Sequence, residues 1–405
     1  MNEKQTVATT LTLSYHRVKR YISRVLFGFG FCCAVTSIAQ GQKLEGWGVS
    51  RSILPSDNGE VATSVLELED GGLLIAGYEY HGTGGEWNAL VLRVDAAGRV
   101  VWRRSSGLAG NDYAWVVRKS RENRFIVVGT RVTAAGDAAG YMECIDGDGR
   151  TIWLRTYGGS KSEVLWAAKQ TDDGGFMLVG QTDSEGAGGL DFYVVRTDSN
   201  GHELWVKTFG GPTTDRAFGI DFSPDGGALV VGFQGDNPQA MNFLILRIDS
   251  EGREVWRWAL AGDRFDVAHG VVSAFGDGFV VSGYSSSFGP GDQDGFLMRL
   301  AGDGRMSWMK TYGDATDDRI LHVAAVTDGF ALVGYSRHES VEIWDMVVRI
   351  VDRQGDLLWS YRVPGSVGKD IIAGREGSLI AVGSIRTSMT SNDDILILRI
   401  LPKPQ

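Results

Sequence analysis

Two residue types keep one long period through this chain, and that period constrains the fold more than any other feature. Tryptophans fall at Trp102, Trp153, Trp205, Trp256, Trp308 and Trp359, at steps of 51, 52, 51, 52 and 51 residues. Glycines fall at Gly77, Gly129, Gly180, Gly232, Gly283, Gly334 and Gly383, at nearly the same step. Self-similarity at a fixed period marks one supersecondary unit copied along a chain, each copy hiding its apolar surface against the next.

The third copy shows the unit. Short apolar and aromatic runs, Phe176-Met-Leu-Val and Phe192-Tyr-Val-Val, alternate with turn residues, the pattern of strands and not of helices. Asp173-Gly-Gly joins its first strand (A) to its second (B), with relatives at Asp70, Asp225, Asp277 and Asp328. Asp198-Ser-Asn-Gly201 joins C to D, echoed at Asp95, Asp146, Asp249 and Asp352. Glycine supplies the positive φ that such hairpins require. Four strands in each repeat of about 51 residues predict an all-β, seven-bladed β-propeller of four-stranded antiparallel blades over residues 40–405. The last copy stops after its third strand, Ile395–Ile400, and lacks a tryptophan strand. The segment from Glu45 through Trp47 to Leu54 supplies the missing fourth strand, a closure that a ring needs to hide its two free edges.

These motifs resemble the Asp-Gly-Gly-Phe…Val-Gly…Val-Arg…Asp…Gly…Trp…Tyr-Gly repeats of bacterial secreted seven-bladed β-propeller proteins, described as quinoprotein-like or lectin-like. The resemblance covers residues 45–400 and implies the fold. It implies no activity, because propellers host many functions. The second copy departs most: Glu122-Asn-Arg replaces the glycine turn, and Cys144 replaces the strand C arginine.

The first 39 residues read as an export signal. Lys4, Arg17, Lys19, Arg20 and Arg24 precede an apolar run, Val25 to Val35, and small residues at Ser37 and Ala39 suit cleavage after Ala39. An uncleaved anchor is the competing reading; a lipidated Cys32 or Cys33 is disfavoured by the Phe-Gly-Phe before them. Cleavage leaves Cys144 as the single thiol, hence no internal disulfide, and 35 basic against 49 acidic residues, net −14. That sign argues against nucleic acid and anionic membrane surfaces as partners. The expected destination is the periplasm or the medium.

In the usual propeller order strand A lines a central channel, and the longer B–C loops share one face with the D–A connections. That loop-rich face is the expected site. Acids recur at the start of strand A: Glu60, Asp112, Glu163, Asp215, Asp266 and Asp318, with Asp370 as the candidate seventh. Capping of backbone N–H groups is the favoured reading, and a Ca²⁺-attracting ring is the alternative. Arg93, Arg196, Arg247, Arg299, Arg349 and Arg399 on strand C read as structural. Three residues beyond each acid lie Thr63, Trp115, Trp166, Phe218, His269 and Leu321, a set that varies from blade to blade as a binding surface would. Trp115, Trp166, Phe218 and His269, with His322, are the candidate ligand-binding residues; packing between blades competes with that reading. His81 and His338 fall on B–C loops and read as solvated.

No catalytic motif is found: no His-Glu-x-x-His, no Gly-x-Ser-x-Gly, no paired zinc ligands, and no vicinal cysteines in the mature chain such as a quinoprotein often carries. Glycine-to-aromatic spacing at Gly201 and Trp205 is four, where a sialidase Asp box needs three. No cofactor is predicted. A binding module for a glycan, peptide or protein is therefore expected. An enzyme, either a divergent PQQ-type quinoprotein or a carbohydrate-active hydrolase or lyase using Asp215, Asp266 and His269, is the alternative.

Overall fold

The computed structural model describes residues 36–38, 47–81, 86–107, 110–121, 123–132, 136–237, 241–259, 264–276, 278–337, 343–386 and 392–402. Much of the B–C loops named above, including His338, lies outside these residues. Seven antiparallel sheets form the blades, six of them from four consecutive strands in the order A-B-C-D. Blade 3 is typical, with Glu163–Gln170, Phe176–Thr182, Asp191–Thr197 and Glu203–Phe209. The other A strands are Glu60–Glu67, Tyr113–Lys119, Asp215–Phe222, Asp266–Ser273, Asp318–Val326 and Ser366–Ala373. A short extra strand, Thr36–Ile38, runs parallel to Met306–Tyr312 at the edge of blade 5.

The ring closes as the repeat count requires. Trp47–Leu54 pairs antiparallel with Asp393–Pro402, from Trp47 opposite Pro402 to Leu54 opposite Ile395. It thus becomes strand D of blade 7, whose other strands end the described chain. Apolar clusters fill the interfaces between neighbouring blades. They run from Leu74, Val91, Val117 and Val127 between blades 1 and 2 to Leu54, Val65, Ile380 and Ile395 between blades 7 and 1. Alternating strand residues thus bury both faces of every sheet.

The tryptophan period has a direct cause. Trp102, Trp153, Trp205, Trp256 and Trp308 each pack on the C–D turn of the next blade: a Cβ added to Gly149 or Gly252 would lie 2.9 or 2.7 Å from Trp102 or Trp205. Trp102 and Trp256 also donate Nε1–H to the carbonyls of Gly147 and Gly302, at 3.0 and 3.1 Å. Trp47 is not the seventh member of this row. Ser50 stands opposite Arg399, where Trp205 stands opposite Arg196, and Trp47 packs on Trp359 instead at 6.3 Å between centroids. In blade 2, Asn123 (φ 55) takes the left-handed turn position that Gly71 (φ 78) fills in blade 1.

Candidate functional site

Every A strand carries a β-bulge at the same place. The register skips one residue in each blade: Thr63, Trp115, Trp166, Phe218, His269, Leu321 and Lys369. The glycine period explains it. A Cβ on Gly77, Gly180 or Gly383 would come within 2.0, 1.8 or 1.9 Å of the carbonyl oxygen of Val61, Val164 or Val367 on strand A. Only glycine lets strand A bend that close, and the bend re-aims the extra residue. Six of the seven bulge residues are those counted from the strand A acids. The seventh, Lys369, was missed because Asp370 was taken for an acid at the strand start. Ser366 holds that start, and Asp370 lies one residue past the bulge.

The bulge residues meet around the channel. Trp115 lies 4.5 Å from Trp166, Trp166 5.8 Å from Phe218, and Phe218 stacks on His269 at 4.9 Å and 9°. Thr63 Oγ1 donates to Ala114 O at 2.7 Å, and His269 Nδ1 donates to Leu321 O at 2.9 Å. A carbonyl only accepts, so this bond places the His269 proton on Nδ1. Towards the loop face the belt continues through Tyr113, stacked on Trp115 at 4.9 Å, to Tyr78 and Trp87. Trp115, Trp166, Phe218 and His269 are thus one contiguous set, each half-buried. His322 stands apart, one residue past the bulge of blade 6, with its Nδ1 2.9 Å from a carboxylate oxygen of Asp370.

Across the channel the lining changes character. Arg319 sits over the rings of Tyr284, Tyr335 and Trp344 at 4.8, 5.6 and 5.8 Å, bonded to Gln293 Oε1 at 2.7 Å and Tyr335 Oη at 3.0 Å. Lys369 Nζ lies 6.0 Å over the same Tyr335 ring. Burial and the Arg319 charge hold the Lys369 ammonium below its usual range, and burial lowers Arg216 similarly. Burial first, then Lys369 and His322, push His269 down to about 4, so it is neutral at pH 7. Burial raises the Tyr78 and Tyr284 phenols to about 12.

Most of the strand A acids serve the backbone, whereas Glu60 pairs with Arg103. All six are buried, and Glu163, Asp215 and Asp318 accept N–H groups from Gly159, Gly211 and Asp314 at 3.0, 2.9 and 3.2 Å. Asp266 accepts from Ser287 Oγ at 2.7 Å. Burial, with Asp191 beside it, lifts Asp215 to about 6. Asp215 and Asp266 turn into the loops between blades while His269 lines the channel, so the proposed acid/base set is not assembled. Among the described residues, no three His, Cys, Asp or Glu side chains gather as a metal site would require.

Three strand C arginines reach back to their own A–B turns, Arg93 to Asp70, Arg196 to Asp173 and Arg247 to Asp225 at 2.5–2.6 Å, and Arg399 of blade 7 reaches Gly71 O of blade 1 at 2.7 Å. Arg349 is also structural but departs from this pattern. It lies three residues before Asp352, where Arg196 lies two before Asp198, so it faces the opposite way and pairs with buried Asp318 at 3.0 Å. A cleft of about 540 Å³ opens on the turn face between blades 1 and 2, but its charges answer one another: Arg93 with Asp70 and Lys119 with Glu69, both at 2.6 Å.

No protein-family model matches this sequence, and no curated protein matches it. Solved structures do. The WD40 domain of Neurospora crassa Pan2 overlays with a TM-score of 0.52 at 10% identity, covering 90% of this chain and 98% of that one. Polysaccharide lyase Uly1 overlays with a TM-score of 0.53 at 9% identity, covering 84% and 89%. The likeness is one of fold. A glucose dehydrogenase overlays more loosely, with a TM-score of 0.45 at 11% identity over 86% of this chain and 98% of its own. Propellers among these neighbours include enzymes, so the frame alone does not choose between binding and catalysis. No helix among the described residues is long and apolar enough to cross a membrane.

Proposed function

We propose that this protein is an exported recognition module that binds a glycan at the loop-face mouth of its channel. The single observation carrying this reading is the unbroken run of Trp115, Trp166, Phe218 and His269 side chains, four half-buried rings from four neighbouring blades in mutual contact. Half-buried aromatic faces beside polar donors suit a ligand with apolar C–H faces and many hydroxyls. Catalysis is disfavoured on chemical grounds. A general base works best near the operating pH, whereas His269 is pushed down to about 4, and Asp215 and Asp266 accept from the Gly211 N–H and the Ser287 hydroxyl. Export rests on the order of basic, apolar and small residues over 1–39. Recovery of secreted protein beginning at Gln40 is the outcome expected of that order.

Screening against a glycan array, followed by fluorescence titration of the hits, tests the binding site. Trp115→Ala and Trp166→Ala should each weaken binding by about tenfold or more. Hits whose affinity ignores both substitutions would place recognition elsewhere.

A further inference from the structure

The channel mouth gathers half-buried cations that meet no acid. Taking an unpaired charge out of water is costly. Elsewhere in this acid-rich chain many cations have an acidic partner: Arg104 meets Glu143 at 2.5 Å, and Arg349 meets Asp318 at 3.0 Å. Among the described residues, no carboxylate lies within ion-pair distance of Arg216, Arg319 or Lys369, though 50 acids are present against 40 basic residues. Arg319 and Lys369 both lie over the Tyr335 ring, at 5.6 and 6.0 Å from its centroid.

We propose that the ligand is an acidic saccharide, whose carboxylate or sulfate lies against Lys369 and Arg319 while its sugar rings stack along Trp115, Trp166 and Phe218. This rests on the recognition reading above and adds the ligand's charge class. Arg319 presents a planar fork already fixed by Gln293 and three aromatic rings, and such a fork suits the paired oxygens of a carboxylate or sulfate. The run of half-buried rings favours a saccharide over an acidic peptide, because successive sugar rings offer apolar C–H groups to pack against them.

Calorimetric titration of the intact protein at pH 7 tests this with galacturonate hexamers and heparin-derived hexamers, set against neutral cellohexaose and a glutamate hexapeptide. An acidic oligomer should bind at least about tenfold tighter than cellohexaose, with affinity falling as salt screens the contact. Lys369→Met and Arg319→Gln should each weaken that binding about tenfold and leave cellohexaose unaffected. Lys369 makes no hydrogen bond that folding needs, so its variant guards against misfolding of Arg319→Gln. Equal binding of acidic and neutral oligomers, or indifference to both substitutions, overturns the charge assignment while the aromatic site stands. Binding of the glutamate peptide without any acidic saccharide, or of no acidic oligomer, overturns it too. Binding that also ignores Trp115→Ala and Trp166→Ala removes the recognition reading itself.

Discussion

The two halves of the channel hold similar side chains in opposite states. Below the bulge row, towards the turn face, charges are tied across blades. Lys169 of blade 3 pairs with Asp221 of blade 4, which accepts the Ser273 N–H of blade 5 at 2.8 Å. Asp370 of blade 7 pairs with His322 of blade 6 and accepts the Val65 N–H of blade 1 at 2.9 Å. Burial would raise the Asp370 carboxyl, yet His322, Arg118 and that N–H hold it well below the usual carboxylate range. At and above the row, Arg216 and Lys369 meet no acceptor and Arg319 meets only neutral ones. Paired charges stitch a ring; unpaired ones weaken it unless something else answers them. The lower half therefore reads as framework and the upper half as a site.

The sharpest way to break this contrast is to cut a lower stitch. Asp370→Ala leaves His322 and the Val65 N–H without their buried acceptor and should cost about 3 kcal/mol, the lower end for a broken buried pair. Urea unfolding at pH 7 measures it. A loss under about 0.5 kcal/mol, the range of ordinary surface changes, would mean that the lower charges are not what holds blades 6, 7 and 1 together.

A pH series probes the boundary between the halves. His269 is held at about 4 when folded against an ordinary 6.5, so below pH 6.5 the unfolded chain takes up a proton that the folded chain refuses. Stability from this group is intact above pH 6.5 and is lost as pH falls towards 4, by about 3 kcal/mol in all. Asp215 and Asp294, raised to about 6, titrate in the same window with the opposite sign, since the folded state takes up their protons first. The clean measurement is thus a difference. The gap in unfolding free energy between the wild type and His269→Gln should move against the wild type by about 3 kcal/mol from pH 7 to pH 4. A constant gap would mean that the channel wets His269 freely.

The framework was readable from sequence because it is periodic, and most of the site because it rides on that period. Tryptophan spacing marked the interlocks with the next blade's C–D turn, and counting three past each acid found six bulge residues. Lys369 escaped that count because Ser366 breaks the acid pattern and Asp370 mimics it. The glycine row held the better ruler. Fourteen residues separate Thr63 from Gly77, Trp115 from Gly129 and Lys369 from Gly383, since the glycine faces the residue just before the bulge. What no ruler supplies is pairing. Whether Arg319 or Lys369 meets an acid depends on side chains brought from other blades, hundreds of positions away along the chain in the case of Asp370 and Val65. The same limit hid the one-residue slip of Arg349, whose partner Asp318 lies two strands off.

Lys369 supplies the smallest and most telling effect, because its sign separates the halves. Replacing a cation in a framework pair destabilises; replacing a desolvated cation with no partner removes a burden. Its ammonium is held below the usual lysine range by burial and by Arg319, so the charged form is disfavoured in the fold. Met keeps the length of the apolar stem and can stay against the Tyr335 ring. Lys369→Met should therefore leave stability unchanged or raise it by up to about 1 kcal/mol, while the equivalent change in the lower half, Lys169→Met, should lower it by about as much through the loss of Asp221's partner. Thermal unfolding of the two variants side by side reads the difference. Two losses of equal size would mean that Lys369 is framework after all, and the anion site would lose its physical basis.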